Sequence, residues 1–309
     1  MELIRRLTGA RAQRYESVVT IGTYDGLHVG HQALIARVLE HSAASGLRAA
    51  LVSFEPMPRE YLQPATPPAR LTNFRERWRI LESLGLDTFC QLPFNARLRA
   101  QSGGEFLGSL VAWGARHVII GHDFRFGHGG QADAEWCLGQ AGALGIAVEV
   151  IAPVLLDGQR ASSGLVREAL AESDFGRAAQ LLGRPYTMCG RVVRGRQLGR
   201  TLGFPTANLA LRRRRAPLQG IFAVRISGPG VMGWPGVASL GTRPTVDGVE
   251  PLLEAHLFDW SGSLYGAEIE VEFVGKLRDE AKFDSLPLLV AQMKQDASEA
   301  RALLQAPQA

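Results

Sequence analysis

VVTIGTYDGLHVGHQALIARVLE, Val18 to Glu40, is the stretch whose reading decides the fold. Val18–Ile21 is an apolar, β-branched run that reads as a buried strand ending at Gly22. A turn holding Asp25 and Gly26 follows, and from near Gly30 the apolar residues recur at helical spacing. Working outward, Ala49–Phe54, Thr88–Leu92, Val118–Ile120 and Val148–Val150 read as further strands, with amphipathic helical stretches between them. Alternation of this kind, sustained to about Leu182, predicts a Rossmann-like parallel sheet covered on both faces. After Gly183 the texture changes to Gly- and Pro-punctuated alternating segments, among them Ile221–Ile226, Leu253–Phe258 and Glu268–Phe273. These predict a small antiparallel β-barrel, closed by one amphipathic helix over Leu286–Leu304. The expected organisation is therefore two domains, 1–182 and 183–309.

The first segment also carries chemistry. Gly22, Gly26 and Gly30 let backbone approach a bound phosphate closely, and a helix start offers unpaired N–H groups to an anion. His28 and His31 stand across that start, placed to hydrogen-bond the phosphates of ATP and to stabilise charge as pyrophosphate leaves. A lone histidine is more often structural; the His-x-Gly-His pair directly after a strand favours the nucleotide. Further on, Ser162 and Ser163 open another helical stretch that contains Arg167. A helix cap explains the two serines when they are taken alone, and with His28 and His31 upstream a phosphate contact is the stronger reading.

Composition narrows the classes. The net charge of +4 favours anionic partners without choosing among nucleotides, flavin phosphates and nucleic acid. Lys276, Lys282 and Lys294 are the only lysines, so neither a Walker A loop nor the lysine-bearing second signature of class I aminoacyl-tRNA synthetases exists before residue 276. Cys90, Cys137 and Cys189 are odd in number and lack metal-ligand spacing, which reads as ordinary reduced thiols. No apolar run is long enough to cross a bilayer, and the expectation is a cytoplasmic protein.

GTYDGLHVGH resembles the Gly-x-Phe-Asp-Gly-x-His-x-Gly-His signature of bacterial bifunctional riboflavin kinase/FAD synthetases. FEPMP from Phe54, RLTNFRERWRILESLGLD from Arg70 and IIGHDFRFGHGG from Ile119 are similar to that family's adenylyltransferase module, in the same order. The resemblance implies that the first half binds ATP and FMN and transfers AMP, with His28 and His31 on the triphosphate and Asp123, Phe124 and Arg125 beside the flavin. Where the family has Ser-Ser-Thr, this chain has Ser162-Ser163-Gly164, losing a hydroxyl; Thr23 and Tyr24 also depart from the commonest family residues.

In the second half, Pro205-Thr206-Ala207-Asn208 resembles the Pro-Thr-Ala-Asn motif of riboflavin kinases. A hydroxyl and an amide oxygen two residues apart suit Mg²⁺, which makes Thr206 and Asn208 the candidate metal ligands; a plain strand-entry turn is the alternative. Gly195, Gly199 and Gly203 allow a flexible basic loop to fold over phosphates in place of a Walker lysine. In LLEAHLFDW, Leu253, Ala255 and Leu257 alternate with Glu254, His256 and Phe258, so Glu254 faces away from the core. An exposed glutamate is the ordinary reading of that position. The resemblance makes Glu254 the general base that takes the proton of the riboflavin 5′-hydroxyl, and it assigns no role to His256. It also places Arg278 and Asp279 at the flavin pocket, the alternative being a surface ion pair. Ser239, where the family usually has asparagine, is expected to touch no catalytic group.

The resemblance covers nearly the whole chain and implies successive reactions, riboflavin to FMN and FMN to FAD. Riboflavin, FMN and ATP are the expected partners, with no nucleic acid, no membrane and a monomer or weak homo-oligomer. Three alternatives compete. Gly164 favours a riboflavin kinase with a degenerate adenylyltransferase module. Arg212–Arg215 would suit nucleic acid, although such a run is usually a solvated loop and no aromatic platform surrounds it. Adenylylation of another phosphate, such as phosphopantetheine, would leave the second half without a role.

Overall fold

The computed structural model describes residues 1–7, 15–195, 198–245 and 248–305. Within it the chain forms two compact units, one of Met1–Pro68 with Arg77–Ser162 and one of Ala69–Glu76 with Ser163–Ala309.

The first unit is built on a parallel sheet of β1 (Glu2–Ile4), β2 (Ser17–Ile21), β3 (Arg48–Glu55), β4 (Thr88–Pro93), β5 (Ala115–Gly121) and β6 (Ala147–Ile151). Its order is β1-β4-β3-β2-β5-β6, every pair parallel. Five of these strands enclose the runs read from the sequence; β1, three residues on an edge, is too short to leave a periodic signal. Val18 to Ile21 and Ala49 to Val52 are almost completely buried, which is why they read as continuous apolar runs rather than alternating ones. From β2 the chain winds outward through β3 and β4, then returns to add β5 and β6 on the other side. The direction reverses between β2 and β5, and the carboxyl ends of those two strands flank the crevice where open α/β sheets take ligands.

Beyond the sheet, β7 (Leu155–Leu156) and β8 (Gln159–Arg160) form a small hairpin. In the second unit β9 (Thr187–Val193), β10 (Ala207–Ala210), β11 (Gly220–Gly228), β12 (Val231–Thr245), β13 (Gly248–Leu257) and β14 (Glu268–Arg278) close into an antiparallel barrel, in the order β10-β13-β12-β11-β14-β9. The C-terminal helix runs from Leu286 to Gln305 and buries Ala300 and Leu304 against Ala223 and Phe258. Phe258 therefore lies beyond the strand and under the helix, not on the face of Glu254 and His256 as strict alternation predicts.

By packing, the units divide differently from the expected 182/183 division. The helices Ser163–Ala171 and Phe175–Leu182 group with the barrel, where the Phe175 ring stacks on Phe273 at 6.3 Å and meets Phe222 edge-on at 6.0 Å. The segment 69–76 is held in the same unit: Arg70 N–H donates to Arg215 O, Tyr186 Oη to Leu71 O, and Asn73 Nδ2 to Cys189 O and Leu211 O. Arg213 corrects the reading of Arg212–Arg215 as a wholly solvated run. Its side chain is fully buried and donates through Nη2 to both carboxylate oxygens of Glu76, at 2.6 and 2.7 Å.

Candidate active sites

In the first unit the loop from Gly22 to His28 leaves β2 at the crevice, and His28 is the N-cap of the Val29–Ser45 helix. Its side chain makes no cap hydrogen bond there. Tyr24 and Leu27 both hold left-handed backbone, with φ of 52° and 49°, a conformation that costs on the order of 1–2 kcal/mol for each such residue. Burial holds the turn in place: Tyr24, Asp25 and Leu27 are almost completely enclosed. Tyr24 also shares a short hydrogen bond with Thr20 Oγ1 on β2, so the extra hydroxyl at this position has a partner inside the sheet.

His28 and His31 stack with ring centroids 3.7 Å apart and planes 23° from parallel. The ring of Tyr24 lies 4.8 Å from that of His31. Gly30 gives the stack room, because a Cβ there would stand 3.2 Å from the His28 ring, closer than an ordinary contact. Gly22 does the same for Tyr24, whose ring would be 2.9 Å from a Cβ. Burial, the neighbouring His28 and the positive charge of Arg160 hold the His31 imidazole well below its ordinary pKa. His31 is therefore neutral at neutral pH, and its buried Nδ1 makes no hydrogen bond.

Across the crevice β5 ends in Gly121, and Asp123, Phe124 and Arg125 follow in a loop. Phe124 stacks on Phe126 at 5.2 Å, while Arg125 is exposed, 3.9 Å from Asp133. Asp123 pairs with Arg160 of β8. Arg160 is the cation that sequence reading missed: it stands alone in an exposed hairpin, and only the fold brings its charge to bear on His31. Ser162 lies just before the Ser163–Ala171 helix, and Arg167 on that helix donates to the carbonyls of Ala69 and Ser163 at 2.6 and 3.1 Å.

In the second unit Asn208 on β10 lies directly opposite Glu254 on β13, and Glu254 lies opposite Ser239 on β12. Leu253, Ala255 and Leu257 point into the core, leaving the half-buried Glu254 and His256 on the other face. Ser239, expected to touch no catalytic group, is the cross-strand neighbour of Glu254 by antiparallel register. Asn208 is buried beneath Gly195, where a Cβ would overlap its amide. A Cβ at Gly199 would overlap the Phe204 carbonyl at 2.2 Å and stand 3.5 Å from Thr206 Oγ1. This segment is less a free loop than expected, for Leu198–Thr201 forms a helical turn and Gly203 takes the left-handed conformation after it, with φ 81°.

His256, given no role from sequence, donates from Nδ1 to the Pro205 carbonyl at 2.8 Å, and Phe204 sits edge-on to its ring. It thereby anchors the turn that carries Thr206. Thr206 and Asn208 also line a pocket of about 90 Å³ with Gly195, Trp260 and Tyr265. Gly262 leaves room for the Trp260 indole, which a Cβ would meet at 2.7 Å. Arg278 meets Asp279 through the latter's backbone, Nη1 donating to the Asp279 carbonyl at 2.8 Å, and not through the Asp279 carboxylate. It holds buried Asp296 of the C-terminal helix with two hydrogen bonds of 2.8 and 2.7 Å, and Asp279 pairs with Lys276 at 2.6 Å.

Comparisons with known proteins match both parts of the chain. Family models match twice, FAD synthetase over residues 10–165 and riboflavin kinase over residues 182–304. A bifunctional riboflavin kinase/FMN adenylyltransferase from Pseudomonas fluorescens is 43% identical, with 98% of each chain covered. The chain belongs to the bifunctional riboflavin kinase/FMN adenylyltransferase family. Another relative of this family, from Escherichia coli K12, is 40% identical with 97% of each chain covered. A crystal structure described as a macrolide-efflux protein from Streptococcus pneumoniae is also similar, with TM-score 0.80, 30% identity, and 97% of this chain and 98% of that one covered. Among the described residues no helix is long and apolar enough to cross a membrane.

Proposed function

We propose that this chain, a riboflavin kinase and FMN adenylyltransferase, runs its two reactions at the two clusters just described. The adenylyltransferase module spans 1–182 and the kinase module 183–309. The observation that carries the reading is that likeness to whole bifunctional relatives extends over both modules, and each module has its own cluster of reactive groups.

In the kinase module Glu254 accepts the proton of the riboflavin 5′-hydroxyl as that oxygen attacks the γ-phosphorus of ATP, and ADP leaves. Thr206 and Asn208 fit Mg²⁺, for they offer neutral oxygens from adjacent positions beside Glu254, the donor type that a hard cation takes alongside phosphate oxygens. When bound, the ion neutralises phosphate charge. Gly195, Gly199 and Gly203 let backbone close over the phosphates. Trp260 and Tyr265 give the pocket apolar walls suited to a planar ring system. Arg278 orders the C-terminal helix, and with Asp279 it borders the flavin.

In the adenylyltransferase module a phosphate oxygen of FMN attacks the α-phosphorus of ATP and the bond to pyrophosphate breaks. His28 and the neutral His31 donate to the phosphates, while Gly22, Asp25, Gly26 and Gly30 shape the turn around them. Ser162, Ser163 and Arg167 supply further phosphate contacts. Asp123, Phe124 and Arg125 border the flavin side. The protein works in the cytoplasm as a monomer or weak homo-oligomer, with no nucleic-acid or membrane partner.

The test is to incubate the protein with riboflavin, ATP and Mg²⁺ and to separate the flavins by chromatography. The wild type accumulates FAD, Glu254→Ala leaves riboflavin, and His28→Ala/His31→Ala stops at FMN. Absence of any flavin product from the wild type would refute the reading.

A further inference from the structure

At the far end of the Val29–Ser45 helix lies a second cluster that neither reaction uses. His41 on that helix, His117 on β5 and Glu149 on β6 bring one ligand atom each to within 4.8 Å of the others, and this is the triad of its kind among the described residues. Ten residues of helix separate His41 from His31, so the cluster lies about 15 Å from the stacked pair.

We infer that His41, His117 and Glu149 form a binding site for a divalent transition-metal ion of the zinc type. Glu149 Oε2 is 2.7 Å from His41 Nε2 and 3.8 Å from His117 Nε2, so one carboxylate oxygen faces both imidazoles. Oε2 accepts from His41 Nε2, a contact that an incoming ion replaces as the Nε2 proton leaves to water, while the other oxygen, Oε1, accepts a hydrogen bond of 2.7 Å from Arg37 Nε, which fixes the carboxylate. Such outer partners are what orient metal ligands. The two rings meet edge to face at 4.2 Å, converging rather than lying parallel.

The donor set chooses the ion. Two imidazole nitrogens and one carboxylate suit zinc and its first-row neighbours, whereas Mg²⁺ prefers oxygen. Three protein ligands leave one position for water. The ligands come from three elements of one sheet-and-helix layer, and each side chain is between 17% and 27% exposed, so an ion can enter without unfolding the unit. Bound there, the ion would tie the helix that begins at the stacked histidines to the edge of the sheet.

The experiment uses the full-length chain, stripped with a chelator and titrated separately with Zn²⁺ and Co²⁺. One ion per chain is expected, with Co²⁺ giving the visible absorption of a four- or five-coordinate ion. His41→Ala and His117→Ala should each weaken binding at least about tenfold. His28→Ala/His31→Ala, which lacks the stacked pair, should titrate like the wild type. Lack of uptake by the wild type at micromolar Zn²⁺, or unchanged uptake in His41→Ala and His117→Ala, overturns the inference. Should those variants fail to fold by circular dichroism, carbethoxylation of wild-type His41, mapped by mass spectrometry, decides instead. Protection by Zn²⁺ supports the site, and equal modification with and without Zn²⁺ refutes it.

Discussion

The imidazoles of His28 and His31 stack 3.7 Å apart inside a buried turn, where the neutral form of His31 is the one that fits the fold. Burial acts first against its charge, followed by His28 and Arg160. Its folded pKa is depressed, so the stability it contributes is complete above its ordinary value near 6.5 and is lost as pH falls through the folded value. Thermal melts of the wild type should therefore drop on acidification below pH 6.5, and His31→Asn should flatten that slope. Parallel slopes in the two proteins would show that the charge is tolerated.

Gly195 and Asn208 form a second pair in which one residue is defined by what the other lacks. Gly195→Ala puts a methyl where the Asn208 amide lies, and either that amide or the backbone above it must move. A displacement of about 1 Å in a phosphoryl-transfer site costs on the order of 10²-fold in rate. Riboflavin phosphorylation should fall by that order while conversion of supplied FMN to FAD stays unchanged. An unaffected kinase rate would mean that the loop does not rest on Asn208 during turnover.

Glu254 offers a cleaner separation of roles because its carboxylate lies on the outer face of β13, where substitution leaves Leu253 and Ala255 in the core. Glu254→Gln keeps size and one acceptor oxygen but cannot accept the proton, and should lower the rate of FMN formation by about 10²- to 10⁴-fold. Ser239→Asn, one strand over, should change that rate far less. A large loss from Ser239→Asn with none from Glu254→Gln would move the base elsewhere.

Much of this was legible in the sequence, for reasons that differ along the chain. Val18–Ile21 and Ala49–Phe54 are buried on both faces, so burial itself writes the signal. Gly22 and Gly30 read as close approaches to a phosphate and Gly195 as part of a flexible loop, and the side chains that press on each were not legible. The groups at Gly22 and Gly30, Tyr24 and His28, are near in sequence, while the Asn208 amide at Gly195 is brought there by β9–β10 pairing. Arg160, His256 and Ser239 were given no role because each meets its neighbour only through topology: the Asp123 carboxylate across from a hairpin, the Pro205 carbonyl in the turn before β10, a register position opposite Glu254. Arg213 misled for the same reason. Four consecutive arginines look solvated until the chain places Glu76 against one of them.

That buried pair gives the last prediction. Arg213→Met leaves the Glu76 carboxylate enclosed without its cation, a loss of about 3–5 kcal/mol by the usual cost of breaking a buried pair. Burial already raises the Glu76 pKa despite the guanidinium beside it, so its desolvation is large. Replacing both partners with apolar residues often restores stability, but Glu76 also accepts the backbone N–H groups of Cys189 and Asn73, each at 2.7 Å. Glu76→Leu/Arg213→Met would orphan both donors, at about 1–3 kcal/mol each, and should remain destabilised. Glu76→Gln/Arg213→Met keeps an acceptor oxygen without the charge and should be the more stable of the two double variants. Urea unfolding of the four proteins measures the order; full recovery in Glu76→Leu/Arg213→Met would show that the backbone donors find other partners.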